Sequence, residues 1–367
     1  MIIPIKPWLD LANGNGGGVS FGRSCPPLSG MVLSPGWEDP RWPLGGPSGE
    51  TLLKRAANST IRMDFYHEPI LGEEILEAME PLEGKQIFDG TLGGGGHAEL
   101  LLRHGAHVIG CDQDEEALLH ATKRLAAYGD SFLPVRGNFR DLDRLLSALG
   151  IGQVDGILLD LGVSSRQIDD PLRGFSFRED GPLDMRMDHR SSFTARDLVN
   201  GWEEEELTRI FREYCEERHA ARVARAIVKA RAVAPIATTL ELADLVARVV
   251  PKTSGKHPAT RVFQSIRIAV NGELEALETV LEKSVGLLAP GGVLAVLTFH
   301  SLEDRVVKRF MHRRSSPFID KPEWSEPRPN PDYAFHLPRR KAVLPDEEET
   351  TRNSRSRSAK LRVAVRA

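Results

Sequence analysis

The sequence predicts an α/β fold: a parallel sheet covered by helices on both faces, with a helical insert after its fourth strand. Three observations carry this. Short apolar runs alternate with amphipathic helical stretches from residue 68 to residue 160. The alternation stops from about 165 to 270, where stretches rich in Glu, Arg and Ala hold no clear buried strand. It resumes after 270 with a further helix and strand.

Each element follows from its local pattern. Pro69 to Met79 reads as an amphipathic helix, with Ile70, Leu71, Ile75, Leu76 and Met79 on one face. Lys85 to Asp89 is a short strand ending in an acid, Gly93 to Gly96 a glycine turn, and Ala98 to Arg103 begins a helix. His107 to Cys111 is a second strand, ending at Asp112. Glu115 to Tyr128 is a helix, Phe132 to Arg136 a strand and Leu142 to Leu149 a helix. Asp155 to Asp160 (DGILLD) is a fourth strand, apolar enough to be buried on both faces. In the insert, Glu203 to Arg231 and Thr239 to Val249 are helical. A helix from Leu274 to Leu288, the turn Pro290-Gly291-Gly292, a strand from Val293 to Phe299 and a helix from Leu302 to Arg313 follow. Residues 315–340 are Pro-rich and read as irregular, and Leu361 to Val365 (LRVAV) as a closing strand.

The N-terminal segment differs in kind. The first 60 residues hold ten Gly and eight Pro, and Asn13 to Gly18 (NGNGGG) and Pro26-Pro27 break any element that starts there. Residues 1–62 are expected to be a disordered leader, although Trp8, Trp37 and Trp42 are unusual in a solvated linker. Ordered patterning begins just after Met63, the expected start of translation; an intact mass that includes Met1 would overturn this. The expected divisions are then a core at 63–165, the insert at 166–270, more core at 271–314, an irregular segment at 315–340 and a basic tail with its strand at 341–367.

Composition narrows the class. The 367 residues carry 48 Lys+Arg against 52 Asp+Glu, a net charge of -4, which argues against a uniformly basic nucleic-acid coat but not against local basic patches. No window approaches a membrane-spanning apolar run, and MIIPIKPWLD lacks the apolar core of a secretion signal. Cys25, Cys111 and Cys215 form no CxxC pair, so neither a disulfide framework nor a structural zinc site is supported. A cytoplasmic protein is the default.

Three motifs end strands, where the crevice of a doubly wound sheet opens. The first is Asp89-Gly90-Thr91-Leu92-Gly93-Gly94-Gly95-Gly96-His97, with Asp112 at the end of the next strand. Glycines let a backbone approach a ligand, and an acid at the second strand accepts from ribose hydroxyls. The alternative is a structural turn with a helix start around Asp112, Asp114 and Glu115. An acid before the glycines would repel a pyrophosphate; it suits a cationic cofactor with an amino-acid moiety, such as S-adenosylmethionine.

The second motif is Asp160-Leu161-Gly162-Val163-Ser164-Ser165, followed by Gln167 and by Arg173-Gly174-Phe175-Ser176-Phe177. Arg and aromatic side chains can stack on an extruded base, or Phe175 and Phe177 can be insert core. The third is Thr298 to Arg305, where His300 is a base, a donor to substrate or a helix cap. Basic residues recur at Arg218, Arg222, Arg225, Lys229 and Arg231, at Arg305, Lys308, Arg309, Arg313 and Arg314, and over 352–367. Such runs are usually solvated faces, but three around one crevice would contact phosphates, with His257 to Arg261 and Gln264 adding specific contacts.

At these residues the chain closely resembles the bacterial small-subunit ribosomal RNA methyltransferase H family, older name MraW. The matching segments are His67 to Ile70, Asp89 to His97, Asp155 to Asp170, Arg173 to Asp188, His257 to Leu274, Phe299 to Met311 and Arg355 to Ala364. The resemblance implies a Rossmann-like class I S-adenosylmethionine-dependent methyltransferase sheet with a helical insert domain for substrate recognition. It implies N4-methylation of a cytosine in the decoding region of small-subunit ribosomal RNA, free or in the assembled subunit. The family's cofactor contacts carry over to Gly95, Gly96, His97, Asp112, Phe139, Asp160 and Gln167. Two departures stand out: Leu92-Gly93-Gly94-Gly95 where the family has Phe-Gly-Arg-Gly, and Arg166 in place of a Pro. Residues 1–62 have no counterpart in the family.

For catalysis, Asp160 is the first candidate to accept a hydrogen bond from the target amine, with the Ser164 and Ser165 hydroxyls nearby and His300 orienting the base. No Pro-Cys turn follows the fourth strand, which argues against a carbon-5 mechanism. The chemistry requires no metal. Competing readings are a methyltransferase for a DNA base or protein amide, and an RNA-binding assembly factor without activity. Intact Asp89, Asp112 and Asp160 favour an enzyme, and the basic tail and insert favour RNA. No membrane partner is expected, and monomer or dimer stays open.

Overall fold

The computed structural model describes residues 69–251, 255 and 257–367, together with the strand Leu9–Asp10. The core sheet is built from β1 (Gln86–Asp89), β2 (His107–Asp112), β3 (Phe132–Arg136), β4 (Val154–Asp160), β5 (Leu288–Thr298), β6 (Phe335–His336) and β7 (Lys360–Arg366). Their order across the sheet is β3-β2-β1-β4-β5-β7-β6. Strands β3 to β5 of that order pair in parallel, while β7 runs antiparallel to both of its neighbours. Leu9–Asp10 pairs in parallel outside β3, at Val135 and Arg136; the rest of the expected leader, with Met63, lies outside the described residues.

Alternation along each central strand feeds two separate cores. Phe88, Ile109, Val135, Ile157 and Leu159 face a cluster closed by α4 (Leu142–Ala148), α11 (Glu273–Leu287) and α12 (Ser301–Ser315). Ile87, Val108 and Leu158 face the other way, onto α1 (Gly72–Met79), α2 (Gly96–Arg103) and α3 (Glu115–Arg124). A strand buried on both sides has little use for polar residues, which explains the apolar run GILL between the acids of DGILLD.

The insert has a third core of its own. It unites α6 (Ala195–Gly201), α7 (Glu204–Cys215), α8 (Ala220–Arg231), α9 (Thr239–Val249) and α10 (Thr260–Asn271) around Leu198, Phe211, Val223, Val246 and Ile266. A short α5 (Ser165–Asp169) leads into it from β4.

The boundaries depart from expectation where the backbone turns left-handed. The stretch from Glu203 to Arg231 is two helices, because Glu216 takes φ 50° and the Glu217 carboxylate accepts the His219 amide. Gly272 at φ 58° separates α10 from α11 in the same way. The helix expected to reach Tyr128 stops at Arg124, ahead of a tight turn in which Gly129 is left-handed. Pro290 to Gly292 lie within β5 as a register shift rather than as a turn before it. The segment 315–340 contains a small antiparallel pair, Phe318–Ile319 with Arg328–Pro329, as well as β6.

Candidate active site

Three acids stand at one edge of the sheet. Asp89 pairs across to Gly110 on β2 and to Leu158 on β4, so Asp112 and Asp160 each project two residues beyond it. The shorter central strand leaves room for the glycine turn between them. Gly90 makes this turn tight: a Cβ there would lie 2.7 Å from Leu159 Cδ2 and 3.0 Å from the Phe139 Cβ. Gly95 starts α2 at φ 78°, a conformation costly for any side chain, and no side chain caps that helix.

Backbone amides bind the acids into this geometry. Asp89 Oδ1 accepts the Thr91 amide at 3.1 Å. Asp112 Oδ2 accepts the Gly93 amide at 2.8 Å, and its Oδ1 accepts the Asp114 amide at 2.9 Å. The turn is therefore pinned to β2 by the expected ribose acid. Thr91, which sequence reasoning passed over, accepts the Asp160 amide on its hydroxyl and pins the turn to β4 as well.

Electrostatically the site is poised. Burial pushes the Asp89 carboxyl up to about 7, against the pull of His97 and the Thr91 amide. Burial also pushes Asp112 up to about 6, against its backbone hydrogen bonds. Burial works against a charged His97, but the Asp160 and Asp89 carboxylates outweigh it and raise the imidazole above its ordinary value. His97 is 8% exposed, with Nε2 3.4 Å from Asp160 Oδ2 yet out of line for a hydrogen bond. Both His97 ring nitrogens and Asp160 Oδ1 are buried with no hydrogen-bond partner among the described residues. Buried polar atoms without partners are costly, so this geometry calls for a polar ligand.

The other expected site residues lie as follows. Phe139 is half-buried in the turn after β3, beside Gly90. Gln167 is buried; its amide nitrogen donates to Asp114 Oδ2 at 2.8 Å and its oxygen accepts the Ser164 amide. Ser164 Oγ accepts the Gln167 amide, so this hydroxyl caps α5. His300 caps α12, with Nδ1 3.4 Å from the Glu303 amide and Nε2 2.7 Å from Glu303 Oε1. Of the departures, Gly94 has its carbonyl bound by Arg124, and Arg166 is exposed, 3.6 Å from Glu116.

Arg173 is buried and donates to Asp114 Oδ2 at 2.8 Å, so its guanidinium is a tie within the protein rather than a platform for a base. Phe177 packs on Phe263 and His257, and Phe175 lies against the insert core under Arg173. Among the described residues no group of three or more His, Cys, Asp or Glu is placed to hold a metal ion.

The basic runs separate into two kinds. Arg313 and Arg314 pair with Glu282, Arg305 with Glu216 and Arg225 with Glu204, while Arg231 donates to the Val199 carbonyl. In the tail, Lys360 and Arg362 bind Asp304, and Arg366 binds the carbonyls of Val285 and Ala334. Arg218, Arg222, Lys229, Lys308 and Arg309 are exposed and make no ion pair among the described residues.

Known proteins match this chain over almost all of the described region. The sequence profile of the MraW methylase family matches residues 64–367. A protein of Carboxydothermus hydrogenoformans named ribosomal RNA small subunit methyltransferase H is 50% identical over 305 residues, covering 82% of this chain and 98% of that one. Proteins of the same name from Syntrophotalea carbinolica and Deinococcus radiodurans are 49% and 50% identical, covering 82% and 83% of this chain and 98% and 90% of theirs.

Proposed function

The chain belongs to the MraW methylase family, and on that premise we propose that it methylates the exocyclic N4 of one cytosine in the decoding region of small-subunit ribosomal RNA. The broader activity, S-adenosylmethionine-dependent methylation of small-subunit ribosomal RNA, follows from the family and its named members. When bound, S-adenosylmethionine supplies a methyl group on a cationic sulfur.

One observation carries the reading: Asp89, Asp112 and Asp160 converge with His97 around polar atoms that are buried without partners. Such a site fits a cationic, hydrogen-bonding nucleoside. Gly95, Gly96, His97, Asp112, Phe139 and Gln167 would hold it, with Asp112 toward the ribose and Phe139 beside the base. Asp89 would supply a carboxylate to offset the positive charge.

Asp160 then works on the acceptor. A cytosine amine is conjugated to its ring and is a poor nucleophile, so orientation contributes more than proton removal in advance. Oδ1 of Asp160, without a hydrogen-bond partner among the described residues, accepts a hydrogen bond from N4 and takes the proton that nitrogen sheds. His97 Nε2 stands 3.4 Å from the other oxygen. Ser164 and His300 serve this site by fixing the starts of α5 and α12.

The RNA is held electrostatically. Arg218, Arg222 and Lys229 of the insert and Lys308 and Arg309 of α12, exposed and without an ion pair among the described residues, would contact phosphates. Placement in the cytoplasm follows from such a substrate; no helix of the described residues is long and apolar enough to cross a membrane.

The test incubates labelled S-adenosylmethionine with small subunits from a strain lacking the gene. Nucleoside mass spectrometry is expected to find one new N4-methylcytidine in the decoding region. Label on another atom or elsewhere in the RNA refutes the N4 assignment, and unlabelled RNA despite cofactor binding refutes the activity.

A further inference from the structure

We propose that Asp114 is a positioning residue that sets both the β4 loop and the insert relative to the nucleoside acid Asp112. This rests on the methyltransferase reading above but concerns a residue outside the carried-over contacts. Asp114 is 2% exposed. Its amide donates to Asp112 Oδ1 at 2.9 Å, and its Oδ1 accepts the Glu116 amide at 3.0 Å, capping α3. Its Oδ2 accepts two donors at 2.8 Å, Gln167 Nε2 and Arg173 Nη2.

Those donors lie on the segment that leads from β4 into the insert. Gln167 sits in α5, six residues before Arg173, and is locked by its reciprocal bonds with Ser164. Arg173 extends the tie, donating also to the Arg186 carbonyl at 3.1 Å. Residue 187 is then held from both sides: Gln113 Nε2 lies 3.2 Å from Met187 Sδ, and the Met187 amide donates to Asn271 Oδ1 at 2.8 Å. One residue thus joins the end of β2, the short helix α5 that follows Asp160, and the insert segment around Met187. A helix cap needs only one acceptor; two buried donors on the second oxygen are more than capping requires.

The geometry also says which substitution is informative. In Asp114→Asn, the side-chain oxygen can still cap α3, but an NH2 group replaces Oδ2 and meets two donors. Gln167 cannot turn its amide to suit, because its oxygen is held by Ser164. Asp114→Asn combined with Gln167→Glu restores a donor–acceptor pair in the opposite sense.

The experiment uses the full chain and reads amide hydrogen exchange without cofactor, together with calorimetric affinity for S-adenosylhomocysteine. Asp114→Asn is expected to speed exchange at Gln167, Ile168 and Met187 at least tenfold and to weaken the ligand at least tenfold. Exchange at Leu118, inside α3, should not change. The double variant should regain protection at Gln167 and Ile168 in the cofactor-free protein, a readout independent of any direct contact between Gln167 and the ligand. The proposal is overturned if Asp114→Asn stays within twofold of the parent in both measurements. Faster exchange at Leu118 along with the rest, or no recovery in the double variant, also overturns it, since Asp114 would then only stabilise the fold. A parent protein that binds the ligand but leaves ribosomal RNA unlabelled refutes the proposed function and leaves these readouts to decide Asp114.

Discussion

His97 Nε2 lies 3.4 Å from Asp160 Oδ2, joining the start of α2 to the end of β4 across the mouth of the site. Because both groups are largely enclosed, the imidazole compensates a carboxylate that water reaches only in part. His97→Ala is expected to lower kcat on the order of a hundredfold, the effect of a misplaced reacting group. Single-turnover kinetics with saturating cofactor would check this. An unchanged kcat with a raised KM for cofactor would assign His97 to ligand binding alone.

The acids predict a pH dependence. Asp89 and Asp112, pushed up to about 7 and about 6, bind protons more tightly in the folded chain than in the unfolded one. Their contribution to stability is complete below the ordinary carboxylate value and is lost as pH rises through about 6 and then about 7. The cofactor-free protein should melt at lower temperature as pH increases over this range, and Asp89→Asn should flatten the upper part. A cationic ligand favours the ionised acids, so S-adenosylmethionine affinity should rise over the same range. Affinity independent of pH would mean that Asp89 faces no charge in the complex.

Asp112→Ala removes the acceptor for two backbone amides, those of Gly93 and Asp114. In its proposed role Asp112 also accepts from the ribose, and a hydrogen bond to a charged group is worth about 1.5–3 kcal/mol, so cofactor affinity should drop roughly tenfold or more. RNA affinity, measured by filter binding without cofactor, should change little. Equal loss of both would make Asp112 structural.

Gly90→Ala places a methyl group 2.7 Å from the fully buried Leu159 side chain and 3.0 Å from Phe139. Overpacking of this kind costs about 1–3 kcal/mol. The thermal midpoint should fall, and cofactor affinity with it if Phe139 shifts. A midpoint equal to the parent's would show that the turn relaxes freely.

The exposed cations make the last prediction. Arg222→Ala and Lys308→Ala should each weaken RNA binding alike for all sequences and reduce the salt slope by about 1. Cofactor affinity should not move. Arg362→Ala, which leaves Asp304 short of one partner, should instead lower thermal stability with the salt slope intact.

The sequence by itself determined the strand ends. Short apolar runs closing in Asp89, Asp112 and Asp160, alternating with helical stretches, read as buried parallel strands with acids at their ends, and a doubly wound order brings such ends to one edge. Capping chemistry was not separable from catalysis at that level. A serine or histidine before a helix has the same local pattern in either role, and only the three-dimensional positions show Ser164 bound to Gln167 and His300 to Glu303. Charge was still less legible. Lys360 and Arg362 meet Asp304 more than fifty residues away in sequence, as Arg173 meets Asp114. The tertiary structure decided which cations are neutralised inside the fold and which stay exposed without an ion pair among the described residues. A charge pair depends on distance in space, and neither period nor composition carries that distance.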